Sequence, residues 1–164
     1  MESRNNMIDH EYALSIVNRL ELFDKFTLRQ KREIAHFYKN ILIFEPNQRI
    51  ISEGEIEPSF YILLAGKVHV TKGDENKLLT ELLPGEFFGE VSFLTKSPRN
   101  ANVIAKEKSI VIKVSDRILK SLDIEIREMI KDKIIEKLIA RLDHMNSLFV
   151  ENAMSGYITS LFRH

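Results

Sequence analysis

The chain has no cysteine, so neither a disulfide framework nor thiolate chemistry is available to it. It also has no net charge, because Lys+Arg and Asp+Glu both number 24. Proteins that hold nucleic acid through its phosphates usually show a basic excess or a basic face, so nucleic acid is not an expected partner. No window approaches the roughly eighteen consecutive apolar residues of a membrane-spanning helix, and no span is expected. The opening MESRNNMIDHEYA lacks a basic start followed by an apolar run, so it does not read as a signal peptide. A cytoplasmic location is expected. Repeats and low-complexity tracts are absent too. The histidines His10, His36, His69, His144 and His164 show no zinc-ligand spacing. Neither a nucleophile elbow nor a Walker-type loop occurs. No catalytic residue, metal or cofactor is therefore assigned, and the protein is not expected to be an enzyme.

What remains is ordinary globular material. The 164 residues, 44% hydrophobic and 29% charged, suit one core with appendages. Three zones succeed one another. Residues 1–40 read as helical: Tyr12, Ile16, Leu20 and Phe23 recur at helical spacing. Thr27 is placed to cap a second helix carrying Ile34, Phe37 and Tyr38. Residues 41–114 change period. The runs ILIF, RIIS, FYILLA, KVHVTK, KLLTELL, NVIA and SIVIKV are separated by turn residues such as Glu-Pro-Asn, Ala-Gly-Lys and Pro-Gly-Glu. Short strands in this rhythm predict an α+β fold around a β-barrel or jelly roll of about eight strands. Residues 115–164 are helical again. Ser115 or Asp116 can cap a short helix ending near Leu122, and a long helix should start near Asp123 and run past Leu148. No proline after Pro98 stands in its way.

The β zone is interrupted once, by FFGEVSFLTKSPRNANV, residues 87–103. Gly89 permits positive φ or a close backbone approach. Glu90 to Leu94 can form one helical turn, whose leading N–H groups favour a phosphate. Pro98 stiffens the chain before Arg99, whose planar fork of donors suits phosphate oxygens. Glu90, an acceptor when ionised, wants a hydroxyl or an amine. Two readings stand side by side: an ion pair between Glu90 and Arg99 at a barrel rim, or a site for a phosphate with a sugar hydroxyl beside it.

The order Phe88-Gly89-Glu90-Val91-Ser92-Phe93-Leu94 followed by Ser97-Pro98-Arg99-Asn100-Ala101-Asn102-Val103 resembles the phosphate-binding cassette of the cyclic nucleotide-binding domain family. That family includes the bacterial catabolite activator proteins, the regulatory subunits of cAMP-dependent kinase and the cyclic nucleotide-gated channels. The segments LELFDKF, IISEGE and SFYILLAGKVHV extend the likeness over about residues 20–148. The resemblance implies that Glu90 accepts from the ribose 2′-hydroxyl and that Arg99 pairs with the cyclic phosphate. It further implies that backbone N–H groups near Val91, Ser92 and Asn100 complete the phosphate cradle, with Ala101 keeping the wall close. Leu79 and Thr80, on the preceding strand, are implied contacts to the base. The expected ligand is cAMP, with cGMP as the other possibility. Cyclic GMP-selective members often carry threonine after the arginine; Asn100 stands there and neither copies nor excludes that contact.

The C-terminal helix carries the expected output. Ile135, Leu138, Leu142, Met145 and Phe149 are spaced three, four, three, four, a heptad seam. Ile126, Ile130 and Ile134 form a second stripe. Further on, Phe149, Val150, Ala153, Met154, Tyr157, Ile158, Leu161 and Phe162 make a broad apolar face, with Ser155-Gly156 as a place where it could loosen. In the family this helix often caps the base or forms a dimer seam, so Arg141, Met145 and Asn146 are candidate base contacts. A homodimer or an unidentified protein is the expected partner besides the nucleotide. No winged helix-turn-helix follows and no inhibitor-like Arg-Arg-x-Ala segment precedes the barrel. The expectation is therefore a receptor module, against a ligand-independent interaction module or a truncated cAMP-responsive transcription factor.

Overall fold

The computed structural model describes residues 8–161, with side chains through Tyr157. It divides into two compact units whose boundary falls between Glu128 and Met129.

In the first unit, α1 (His10–Arg19) opens on Asp9, whose Oδ1 accepts the Tyr12 N–H at 2.8 Å. It buries Ala13, Leu14, Ile16 and Val17. The apolar period read through Phe23 spans more than this helix. Leu20 turns extended at ψ 120°, and a 3-10 turn (Glu21–Phe23) supplies the buried Leu22 and Phe23, while Tyr12 is exposed. Thr27 caps α2 (Leu28–Ala35) as expected, in a reciprocal box. Its hydroxyl accepts from the Gln30 N–H at 3.2 Å, and the Gln30 carbonyl accepts from the Thr27 N–H at 2.9 Å. The helix stops at Ala35, leaving Phe37 and Tyr38 to a turn and a 3-10 segment.

Eight strands follow: β1 (Ile41–Phe44), β2 (Arg49–Ile51), β3 (Ser59–Ala65), β4 (Val68–Lys72), β5 (Lys77–Leu82), β6 (Phe87–Phe88), β7 (Asn102–Ala105) and β8 (Ser109–Ser115). They pair antiparallel in two four-stranded sheets, β1-β8-β3-β6 and β2-β7-β4-β5. The jelly-roll expectation holds, although the hydrogen bonding does not close into one barrel. The core lies between the sheets. Tyr61, Leu63, Phe88 and Val111 come from the first, and Ile51, Val68, Leu82 and Val103 from the second. β3 is apolar without alternation because both of its faces are covered. Tyr61 and Leu63 face that core, whereas Phe60 meets Phe87 and Phe93, with ring centroids 6.1 and 5.1 Å away. α3 (Glu90–Thr95) interrupts the sheets between β6 and β7. Ser115 caps α4 (Asp116–Ser121), accepting the Ile118 N–H at 3.3 Å.

The last helix, α5 (Ile124–Leu161), has 38 residues, about 57 Å at 1.5 Å per residue. Asp123 Oδ1 accepts the Glu125 N–H at its start, 3.0 Å away. The second unit is the part of this helix from Met129 onward. The helix runs unbroken through Ser155 and Gly156. Ile126, Ile130 and Ile134 are buried, whereas every residue from Leu142 to Tyr157 is exposed. Phe162 lies outside the described residues. No helix among the described residues is long and apolar enough to cross a membrane.

Candidate functional site

The site begins with a two-residue strand. β6 pairs with β3 in the register Tyr61↔Phe88 and Ile62↔Phe87. The rings of Tyr61 and Phe88 stack 5.1 Å apart at 6°. The pairing delivers Gly89 to the end of the first sheet, where its φ of 74° turns the chain into α3. A side chain there is excluded twice: positive φ disfavours it, and a Cβ would stand 2.6 Å from Arg99 Nη1. The Phe93 N–H donates to the Gly89 carbonyl at 3.2 Å. α3 ends at Lys96, also at positive φ.

Beyond Pro98 the chain comes back to the sheets. The Arg99 N–H donates to the Glu55 carbonyl and the Arg99 carbonyl accepts from the Gly54 N–H, both at 2.8 Å. This clamp fixes the Arg99 peptide against the β2–β3 turn, and Arg99 is only 3% exposed. Nη1 donates to the Gly89 carbonyl and to Ser92 Oγ, each at 2.8 Å. Nη2 donates to Ser59 Oγ at 3.3 Å and lies 3.6 Å from Glu57 Oε2. Nε is buried and has no hydrogen-bond partner.

Glu57 joins this cation to a second one. Its carboxylate pairs with Lys113 and accepts from the Tyr61 hydroxyl at 3.3 Å. Burial opposes its ionisation, but the Lys113 hydrogen bond and the Lys113 and Arg99 charges prevail and hold the carboxyl below its ordinary range. Burial also raises the Tyr61 phenol, helped by the Glu57 charge. For Lys113, burial works against the ammonium, and the hydrogen bond and charge from Glu57 outweigh it, so its pKa rises.

The structure thus brings Gly89, Ser92 and Arg99 into direct contact. Glu90, the first residue of α3, is buried at 3% exposure, and Val91 beside it is exposed. Asn100 is exposed, with its carbonyl accepting from Lys72 Nζ at 2.5 Å, and Ala101 is half-buried. Leu79 and Thr80 are exposed on β5, the edge strand of the second sheet. Arg141, Met145 and Asn146 belong to the second unit, where Met145 and Asn146 are exposed. The ion pair of Arg99 with Glu57, and its bond to Ser59, escaped the sequence reading. Lys113, a cation inside the apolar run SIVIKV, was the available signal, since a lysine in a buried strand demands a carboxylate.

As chemistry, the arrangement is a buried guanidinium fixed on both terminal nitrogens, with one donor unmet and a buried acid at the head of the neighbouring turn. It suits a small anion whose other end offers a hydroxyl.

Comparison with known proteins gives the same picture from another side. The cyclic nucleotide-binding domain family matches residues 41–122, half of the chain. A cAMP-dependent protein kinase regulatory subunit of Yarrowia lipolytica is 41% identical over 66 residues, 40% of this chain and 18% of the relative. A cGMP-dependent protein kinase of Eimeria tenella is 33% identical over 129 residues, 74% of this chain and 12% of the relative. The chain therefore spans less than a fifth of either relative. Among solved structures, a cyclic nucleotide-binding domain from Methylobacillus flagellatus superposes with a TM-score of 0.69 at 20% identity, covering 87% of this chain and 83% of the other.

Proposed function

Because the chain belongs to the cyclic nucleotide-binding domain family, we propose that it is a receptor module for a cyclic nucleotide, with cAMP as the preferred ligand. The observation that carries this reading is the Arg99 guanidinium, buried and fixed through Nη1 and Nη2 while its Nε–H has no partner. An unmet buried donor costs about 1–3 kcal/mol, more on a charged group. An oxygen of a singly negative cyclic phosphate removes that cost and balances the charge. In this reading Glu90 accepts from the ribose 2′-hydroxyl. The N–H groups of Val91, Ser92 and Asn100 serve the phosphate, with Ala101 as a close wall, and Leu79 and Thr80 meet the base. The assignment of Arg141, Met145 and Asn146 to the base rests on the family resemblance.

Relatives named for cGMP as well as relatives named for cAMP match the chain. Asn100, whose amide both donates and accepts, is compatible with either base. The output we assign to α5: a ligand that binds one arrangement of the protein better shifts the population toward it. A second copy, or another protein, reads the shift through exposed residues such as Leu142, Met145 and Phe149.

Calorimetry with cAMP and with cGMP, on protein stripped of co-purified ligand, tests the reading. Saturable binding of one or both is expected, with cAMP the tighter. Failure of both to bind, with no change in melting temperature, would overturn it.

A further inference from the structure

Asn102, which begins β7, is 4% exposed and uses every hydrogen-bonding group of its amide. Oδ1 accepts from Arg49 Nη1 at 3.1 Å and from the Glu53 N–H at 2.8 Å. Nδ2 donates to the Gly73 carbonyl at 3.4 Å and to Asn76 Oδ1 at 3.5 Å. Two donors on one side and two acceptors on the other fix the orientation of the amide. A single side chain thereby joins three places: the start of β7, the turn between β2 and β3, and the turn between β4 and β5.

The second of these places is the one that holds Arg99. Glu53, tied to Asn102 through its N–H, directly precedes Gly54 and Glu55, whose backbone groups bond both sides of the Arg99 peptide at 2.8 Å. The same turn is braced from β4. The Gly73 N–H donates to Glu53 Oε2 at 2.9 Å, and Lys72 Nζ reaches Glu53 Oε1 at 2.6 Å and the Asn100 carbonyl at 2.5 Å. Two backbone bonds at the end of a loop are a weak clamp by themselves, because such ends fray at low free-energy cost. Asn102, itself buried, ties this turn through part-buried bonds to Arg49 of β2 and to the β4–β5 turn.

The other half of the cassette is different. Gly89 is placed by the β6–β3 pairing, and Gly89 and Ser92 meet Arg99 through its two Nη1 bonds. We infer that Asn102 is a positioning residue for the anion site, holding Arg99 in place through the Glu53–Glu55 turn before any ligand arrives. This inference rests on the proposed cyclic-nucleotide reading for its effect on affinity, but not for its effect on the clamp.

The test uses the full chain and three variants. Asn102→Ala removes all four bonds. Asn102→Asp keeps both acceptor bonds, to Arg49 and to the Glu53 N–H, but loses both donor bonds and turns an oxygen toward the Gly73 carbonyl and Asn76 Oδ1. Lys72→Met acts from the exposed side and is the safeguard if Asn102→Ala does not fold. Amide hydrogen exchange on ligand-free protein reports the clamp directly. In Asn102→Ala the Gly54 and Arg99 amides should exchange at least about ten-fold faster than wild type, while amides in the centre of β8 stay protected. Calorimetry with cAMP and cGMP should show affinity reduced about ten-fold or more in Asn102→Ala, the equivalent of one lost hydrogen bond. Asn102→Asp, which keeps the Glu53 bond, should lose less than Asn102→Ala, and Lys72→Met should lose less than Asn102→Ala as well. Wild-type protection at Gly54 and Arg99 in Asn102→Ala would overturn the inference, as would wild-type nucleotide affinity in that variant. If wild-type protein binds neither nucleotide, the functional reading fails, and the exchange data still decide the clamp.

Discussion

Replacing Gly89 by alanine tests the centre of the site with one carbon atom. The φ of 74° at this position costs a residue with a side chain about 1–2 kcal/mol. The new Cβ would also stand 2.6 Å from Arg99 Nη1 and 3.0 Å from Ile51 Cδ1. Ordinary contact begins near 3.5 Å, so the guanidinium has to retreat by about 0.9 Å. A retreat of that size takes its 2.8 Å bond to the Gly89 carbonyl to about 3.7 Å, beyond any hydrogen bond. Losing one bond to a charged group adds about 1.5–3 kcal/mol. Together these give a destabilisation of about 2.5–5 kcal/mol, and a melting temperature lower by about 5–20 °C for a chain of this size. The fold should survive, because the clashing atoms are the ends of side chains rather than backbone. The ligand should feel more, since the anion is read by the group that has moved. Calorimetry should show affinity for cAMP reduced by ten-fold or more, roughly the effect of one misplaced bond. Differential scanning fluorimetry provides the stability half. A folded Gly89→Ala protein with wild-type affinity would refute the placement of the phosphate on Arg99.

Arg99→Ala should lose about 2–5 kcal/mol of binding, or roughly thirty-fold to several-thousand-fold in affinity by calorimetry. Arg99→Lys should lose much of the same, because an ammonium cannot reproduce the fork. Glu57 predicts a pH dependence: its folded pKa is depressed, so its ionised form stabilises the fold above the ordinary carboxylate range. That contribution is lost as pH falls through the folded value, so urea midpoints of wild type and Glu57→Gln should differ at neutral pH and converge in acid. Thr27→Ala breaks the capping box and should cost about 0.5–2 kcal/mol of stability in urea, with nucleotide affinity unchanged.

The features legible in the sequence are those decided by neighbours along the chain. Thr27 and Ser115 cap their helices through N–H groups three residues away, and such chemistry is written locally. The seven β-rich runs each fall on a strand, because half-buried and fully buried strands both leave a mark in composition. The end of α1 was not legible. Leu20 and Phe23 are buried as a helix face would bury them, yet they sit on an extended residue and a 3-10 turn. The eighth strand was hidden as well, since the two residues Phe87 and Phe88 are too few to show a period. Beyond Gly89 and Ser92, the partners of Arg99 come from distant parts of the chain, and the pairing of strands brings Glu57, Ser59 and the Gly54–Glu55 turn to it.

That dependence on pairing puts weight on the shortest strand among the described residues. β6 pairs two residues with β3, and both are aromatic: Phe88 stacks on Tyr61 toward the core, and Phe87 lies against Phe60 on the opposite face. Successive residues of a strand alternate faces, so a slip of one residue would exchange the two rings and set each against the wrong partner. It would also carry Gly89 along the strand by about 3.3 Å. A 2.8 Å bond from Arg99 to the Gly89 carbonyl cannot follow such a shift. Two adjacent phenylalanines, read from the sequence as part of a ligand motif, therefore have a second physical role. By making the wrong register costly on both faces of β3, they decide that the glycine, and no neighbouring residue, meets the arginine.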